Sequence, residues 1–178
     1  MLNLFMKDPF LYSFIFPSNF VSLNKIDFNN PVLWILNNHH VPPHIGFSFQ
    51  NKYLSLKAYG KDVDKPVVDL INKCNYKKIP IILVELKLEI SSEKVYQFYN
   101  KYNFAGDKSS TCITPILEIL SFSNTSLILP ELLQILFNQK KISSVSCINQ
   151  ADSKIGIRKY NRNEVLKIND SIKNVKGR

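Results

Sequence analysis

"HIGFSFQNKYLSLK", residues 44–57, reads as two strands and a turn. Ile45, Phe47 and Phe49 alternate with Gly46, Ser48 and Gln50, the period of two expected for a strand with one buried face. Asn51 and Lys52 make a tight turn, and residues 53–57 return as a second strand. A hairpin of this kind needs more strands and a covering layer before it is stable on its own. The rest of the chain is therefore read for those partners.

Downstream they are plentiful. "KPVVDLINKC" sets Val67, Leu70, Ile71 and Cys74 at helical spacing behind Pro66, a residue suited to a first turn. "IPIILVELKLEI" alternates Val84, Leu86, Leu88 and Ile90 with Glu85, Lys87 and Glu89, a strong strand signal. Serines then precede a stripe of Val95, Phe98, Tyr99 and Tyr102, which predicts a capped helix. Ile113, Ile116, Leu117 and Leu120 predict another helix, "LPELLQILF" a third begun by Pro130, and "KISSVSCI" a last strand. Upstream, residues 1–42 are rich in aromatics without clean periodicity, and "PVLWILNNHH" is equally readable as helix or strand. The order of elements predicts an α+β fold. We read one domain over residues 1–150, with its core at 43–136 and an N-terminal extension at 1–42, followed by a basic tail at 151–178.

The bulk numbers bound the function. With 45% hydrophobic and 21% charged residues, the chain has the composition of a globular protein. Its net charge of +9 is concentrated: residues 140–178 hold ten basic and three acidic side chains. The near-neutral remainder argues against a nucleic-acid-binding core. The tail predicts an anionic partner such as RNA, a membrane surface or an acidic protein, or else a solvated terminus. Three scattered cysteines are too few for a disulfide framework and predict reduced thiols in a cytoplasmic setting, including that of an infected host cell. No run approaches the roughly 20 apolar residues of a transmembrane helix. The apolar start is interrupted by Lys7, Asp8 and Pro9, unlike a signal peptide, and is expected to pack on the domain.

Chemistry is suggested at two places. In "KSSTCITPILEIL", residues 108–120, Pro115 lacks an N–H and suits a helix before internal pairing begins. The cap then falls near Thr111 or Cys112, with the thiol at the positive end of the helix. There its pKa is expected to fall from about 8.5 toward neutrality, and nearby N–H groups could hold an oxyanion. The plainer alternative is an ordinary core cysteine. His44, entering a strand after "VPP", is placed to face the opening of a site. His39 and His40 lie near it, but Pro42 and Pro43 break helical ligand spacing and no acidic or cysteine ligand adjoins them. No metal and no cofactor is expected.

Taken together, "HIGFSFQNKYLSLKAYG", "IPIILVELKLEISSEKVYQFYNKYNF" and "STCITPILEIL" resemble the circularly permuted branch of the NlpC/P60 papain-like superfamily. That branch includes lecithin:retinol-acyltransferase-like proteins, bacterial amidase-like proteins and poxviral relatives. The resemblance spans about residues 43–136 and implies a papain-like core with an antiparallel sheet packed on helices. It implies Cys112 as nucleophile and His44 as the base. The family's third, ring-orienting polar residue maps to Ser55, with Lys57 two residues on, and neither orients an imidazole as a carboxylate or amide does. Ile113 stands where the family often has a small residue. The implied activity is a cysteine hydrolase (peptidase or amidase) or an acyltransferase, working through an acyl-thioenzyme on a peptide or lipid acyl substrate. The alternatives are a degenerate binding module on the same scaffold, or a nucleic-acid or membrane binder acting through the tail.

Overall fold

The computed structural model describes residues 11–107 except 18, 110–150 except 125, and 155–176. The apolar start at 1–10, Lys108 and Ser109 of the loop before Cys112, and residues 151–154, 177 and 178 of the tail lie outside them. Eight strands and five helices follow in chain order: β1 (Tyr12–Ile15), β2 (Val32–Leu36), β3 (His44–Phe49), β4 (Lys52–Lys57), β5 (Gly60–Pro66), α1 (Val67–Tyr76), β6 (Ile81–Leu86), α2 (Ser92–Asn100), α3 (Thr114–Ile119), α4 (Leu129–Asn138), β7 (Ile142–Ile148), β8 (Gly156–Arg158) and α5 (Arg162–Lys176). A six-stranded antiparallel sheet runs β5-β4-β3-β2-β6-β7, and β1 pairs with β8 in a separate ribbon. The fold is thus α+β with antiparallel sheets, as the sequence predicted at that level.

The hairpin at 44–57 forms with its turn one residue earlier than expected. Gln50 and Asn51 both take positive φ, 50° and 59°, which is the two-residue turn whose twist suits a hairpin. Phe49 then pairs with Lys52, and Phe47 with Leu54. The segment that resisted assignment, Val32–Leu36, is the strand beside His44, paired with β3 on one side and β6 on the other. Its five residues are all buried, because both sheet faces are covered at the centre. This erases the alternation that identifies a half-buried strand. The same burial explains β6, where alternation suggested a strand reaching Ile90 but the strand ends at Leu86. Glu85, read as an outward residue, is 5% exposed, and its carboxylate accepts a hydrogen bond from Asn30 at 2.8 Å.

Each face of the sheet has its own core. On one, Leu33, Ile35, Ile45, Phe47, Ile82 and Val84 meet α2, α3 and α4 through Val95, Tyr99, Ile116, Leu117, Leu132 and Leu133. On the other, Val32, Trp34, Tyr53, Ile81 and Leu83 meet α1 through Val67 and Cys74. The core therefore exceeds residues 43–136 at both ends. It includes β2 before them and β7 after them, so residues 1–42 are not merely an extension. Nor is the segment from 151 simply a tail: Ile155, Ile157 and Tyr160 are buried with the first core, and β8 pairs with β1. The Tyr160 hydroxyl accepts the backbone N–H of Leu129 at 3.3 Å, tying this segment to the start of α4.

Candidate functional site

α3 begins just after Cys112, with Pro115 in its first turn and Ile113 at the cap position. This is one or two residues later than the sequence suggested. The turn before it is held by Thr114, whose hydroxyl accepts the Thr111 N–H at 2.8 Å, while the Thr114 N–H donates to the Thr111 carbonyl at 3.1 Å. Upstream, the Ala105 N–H donates to the Lys57 carbonyl at 2.8 Å, which fixes the incoming loop to the end of β4. Asp107 does not approach His44 through this loop: its carboxylate accepts the Asn103 N–H at 3.0 Å.

The sheet meets this cysteine at a parting of two strands. Phe47 pairs with Leu54, but the β3–β4 ladder stops there. By the alternation of an antiparallel ladder, the Ile45 N–H should face β4 two residues further on. That N–H lies instead near enough to Cys112 to favour its thiolate. The thiol therefore sits where β3 and β4 separate, one residue along the backbone from His44.

His44 itself lies across the strand from Ile45, since neighbouring residues of a strand point to opposite faces. Ile45 belongs to the core under α3, and His44 opens the other face, in register with Leu36. Among the described residues no hydrogen bond joins His44 to Cys112. His44 instead shares its face with a polar group that the sequence reading did not assemble. Ser55 pairs with Asp62 across β4 and β5, and its hydroxyl donates to Asp62 Oδ2 at 3.4 Å. Lys57 Nζ donates to Asp62 Oδ1 at 2.8 Å. Asp62 is close enough to favour the imidazolium of His44, while Lys57 opposes it. Asp62 was missed because it lies on β5, a strand with no clear hydrophobic alternation. The signal available was the short Gly60 turn, which folds residue 62 back beside residue 55.

Electrostatics reverses one expectation. The Cys112 thiol lies above its ordinary pKa, because burial outweighs the N–H groups of Ile45, Cys112 and Ile113 that stabilise the thiolate. Burial likewise lowers the pKa of His44, more than Asp62 raises it. Both results follow from the cost of placing charge in a low-dielectric site. The resting pair is accordingly a neutral thiol and a neutral imidazole, and the helix position of Cys112 does not yield a thiolate by itself. Tyr53 packs beside them with its pKa raised by burial. Its ring lies over Gly46, where a Cβ would fall 2.2 Å from the phenol oxygen.

Cys112 keeps some exposed surface and opens into a narrow cleft of about 40 Å³. Pro42, Pro43 and Ile45 form one side, Leu127 and Leu129 another, and Val165 with Leu166 of α5 a third. Among the described residues of the lining, Arg162 alone is charged. Among the described residues no three His, Cys, Asp or Glu side chains converge as metal ligands; His39 and His40 lie in the turn before Pro42. No helix among the described residues is long and apolar enough to cross a membrane. No family model, curated protein or solved structure matches this chain.

Proposed function

We propose that the chain is a papain-like cysteine hydrolase or acyltransferase of the permuted NlpC/P60 type, with Cys112 as nucleophile and His44 as base. The observation that carries this reading is the approach of the Ile45 N–H to the Cys112 thiol, near enough to favour the thiolate. It brings the helix-start cysteine and the strand-start histidine, 68 positions apart in the chain, to the same break in the sheet. The apolar cleft beside Cys112 supplies a place for an acyl group, and the order histidine, then cysteine, is that of the permuted branch.

Two neutral partners define the mechanism. As a carbonyl carbon approaches sulfur, the imidazole takes the S–H proton and the C–S bond forms while the carbonyl π pair moves to oxygen. N–H groups at the start of α3 are available to that oxyanion. The intermediate collapses, the bond to the leaving group breaks, and the imidazolium returns its proton to that group. Water or an acceptor nucleophile then attacks the thioester, with His44 again accepting and returning a proton, and the free thiol is regenerated. Asp62 favours the imidazolium that both half-reactions need. Ser55 donates to Asp62, so its role is to position the carboxylate.

A second reading keeps the scaffold and drops the chemistry: a binding module in which Cys112 is a buried thiol. The raised thiol pKa and the absence of a His44–Cys112 hydrogen bond favour it. One experiment separates the two. The protein is incubated with p-nitrophenyl acetate, the acyl adduct is located by mass spectrometry, and nitrophenol release is followed. Catalysis predicts acetylation confined to Cys112, turnover abolished by Cys112→Ala, and acylation slowed about 10²-fold or more by His44→Ala. Release that persists in Cys112→Ala, or adducts spread over Cys74 and Cys147 as well, would leave the binding module.

A further inference from the structure

The segment after Tyr160 contributes a wall to the Cys112 cleft, yet most of its described side chains face outward. In α5, Val165 is half-buried, whereas Arg162, Glu164 and Lys167 are exposed. So are two large apolar side chains, Leu166 at 37% and Ile168 at 38%. The sequence repeats apolar residues at 165, 168, 172 and 175, the spacing of one face of a helix. Its mean hydropathy is low, because lysine, arginine and asparagine fill most other positions. Residues 158–178 carry seven basic and two acidic side chains.

We propose that α5 is a docking helix for an anionic lipid bilayer, seated at the rim of the Cys112 cleft. A helix with a narrow apolar stripe, a basic remainder and low overall hydropathy lies in the plane of a membrane interface. Ile168, exposed on that stripe beyond the half-buried Val165, enters the acyl boundary, and the cations meet the lipid phosphates and carboxylates. RNA fits the same charge but not the stripe. A phosphate backbone is held by cations alone, and single-stranded binding adds aromatic stacking, whereas residues 161–178 contain no aromatic. The helix is not free to drift from the body. Tyr160 is buried and accepts the Leu129 N–H, so a docked α5 would hold the cleft against the lipid surface.

The test uses the full chain and co-sedimentation with two kinds of vesicle: pure phosphatidylcholine, and equal parts phosphatidylcholine and phosphatidylserine. The expected result is retention by the anionic vesicles only, weakened by added salt. Ile168→Glu with Ile172→Glu removes two apolar side chains of the stripe and leaves Val165 and Leu166, which line the cleft, unchanged. Lys167→Glu with Lys173→Glu reverses two charges. Each double variant is expected to lower retention roughly tenfold or more while unfolding at the temperature of the unaltered protein. Equal retention by both vesicles, undiminished retention by either folded variant, or retention only of a labelled single-stranded RNA would overturn the proposal. Vesicle retention by Cys112→Ala is expected to match that of the unaltered chain. Failure here and failure of the thiol chemistry are therefore distinguishable.

Discussion

The two faces of the six-stranded sheet are built to different rules. Under α2, α3 and α4 the strands present Leu33, Ile35, Ile45, Phe47, Leu54, Ile82 and Val84. The face toward α1 also has large apolar residues, but sets Ser48, Ser55, Glu85 and Ser146 among them, all buried. It carries His44 at the first position of β3 as well. Shape alone can satisfy the first face. The second places polar groups in the core too, and pairs two of them: Trp34 Nε1 donates to Ser48 at 2.8 Å, and Asn30 donates to Glu85, while the buried Ser146 hydroxyl has no partner among the described residues. A surface that must meet both demands tolerates less change. The candidate site lies where the two faces meet, at the parting of β3 and β4, and would draw its proposed nucleophile, Cys112, from one side and its proposed base, His44, from the other.

The largest effects should expose that difference. Leu133→Ala on the apolar face and Trp34→Ala on the polar face each remove a fully buried side chain. Each should cost about 3–5 kcal/mol in denaturant unfolding. Conservative changes should then part company. Leu133→Met should cost less than about 1.5 kcal/mol, since volume is kept and no polar group is orphaned. Trp34→Phe removes the indole N–H that Ser48 accepts, leaving a buried hydroxyl without that donor. It should cost about 1–3 kcal/mol for that loss, in addition to the volume removed. Equal costs for the two conservative changes would break the comparison.

A smaller effect is expected at Gly46. With a Cβ there 2.2 Å from the Tyr53 phenol oxygen, Gly46→Ala should destabilise by about 1–3 kcal/mol. Tyr53→Phe removes the oxygen nearest the clash but leaves ring carbons at 2.4 and 2.5 Å. Adding Tyr53→Phe should therefore not rescue Gly46→Ala, whereas Tyr53→Leu should recover part of the loss. Full recovery with Tyr53→Phe would show that the oxygen alone sets the fit.

What could be read in advance follows from the same contrast. The hairpin at 44–57 was legible because β3 and β4 have an alternating pattern, and α1, α2 and α4 because one stripe of each is apolar. β2 was not, since "VLWIL" is buried on both faces and has no polar phase to read. β5 escaped because "GKDVDKP" has little apolar content; pairing with β4, rather than its own sequence, makes it a strand. At the candidate site, position was more legible than energetics. Pro115 correctly located the start of α3 near Cys112. The depth of burial around the thiol, which decides the direction of its pKa, comes from β3, β4 and α3 together. No local stretch contains it.

That direction has a measurable consequence. Because burial holds Cys112 above its ordinary pKa, its alkylation by iodoacetamide should rise only at a pH above the usual range near 8.5. Cys147, pushed up to about 12 by burial, should likewise react only well above that range. The sign for stability also follows. The fold holds Cys112 protonated at a pH where the unfolded chain ionises, so stability should decline as pH rises past about 8.5. Cys112→Ala should flatten that decline. An alkylation profile centred near neutrality would contradict the burial argument and restore the helix terminus as the stronger influence.

The smallest and most specific effect concerns Asp62. His44 resists protonation because it is buried, and Asp62 is the group that partly restores the charged form. Above pH about 6.5 neither the folded nor the unfolded chain holds this proton. As pH falls below that value the unfolded chain takes it up first, so the fold loses stability until its own lowered pKa is reached. Asp62→Asn keeps the shape and removes the charge. The His44 pKa should then fall further, as read from its imidazole resonances, and the acid-side loss of stability should extend to lower pH. Lys57 opposes the imidazolium, so Lys57→Met should move the same resonance upward. Opposite displacements from two residues that bond to each other would identify charge at His44 as the cause. A general loosening of the β4–β5 edge would move both variants in one direction. If Asp62→Asn leaves the resonance where it was, Ser55 and Asp62 belong to the stability of that edge alone, and the third member of the candidate site must be sought elsewhere.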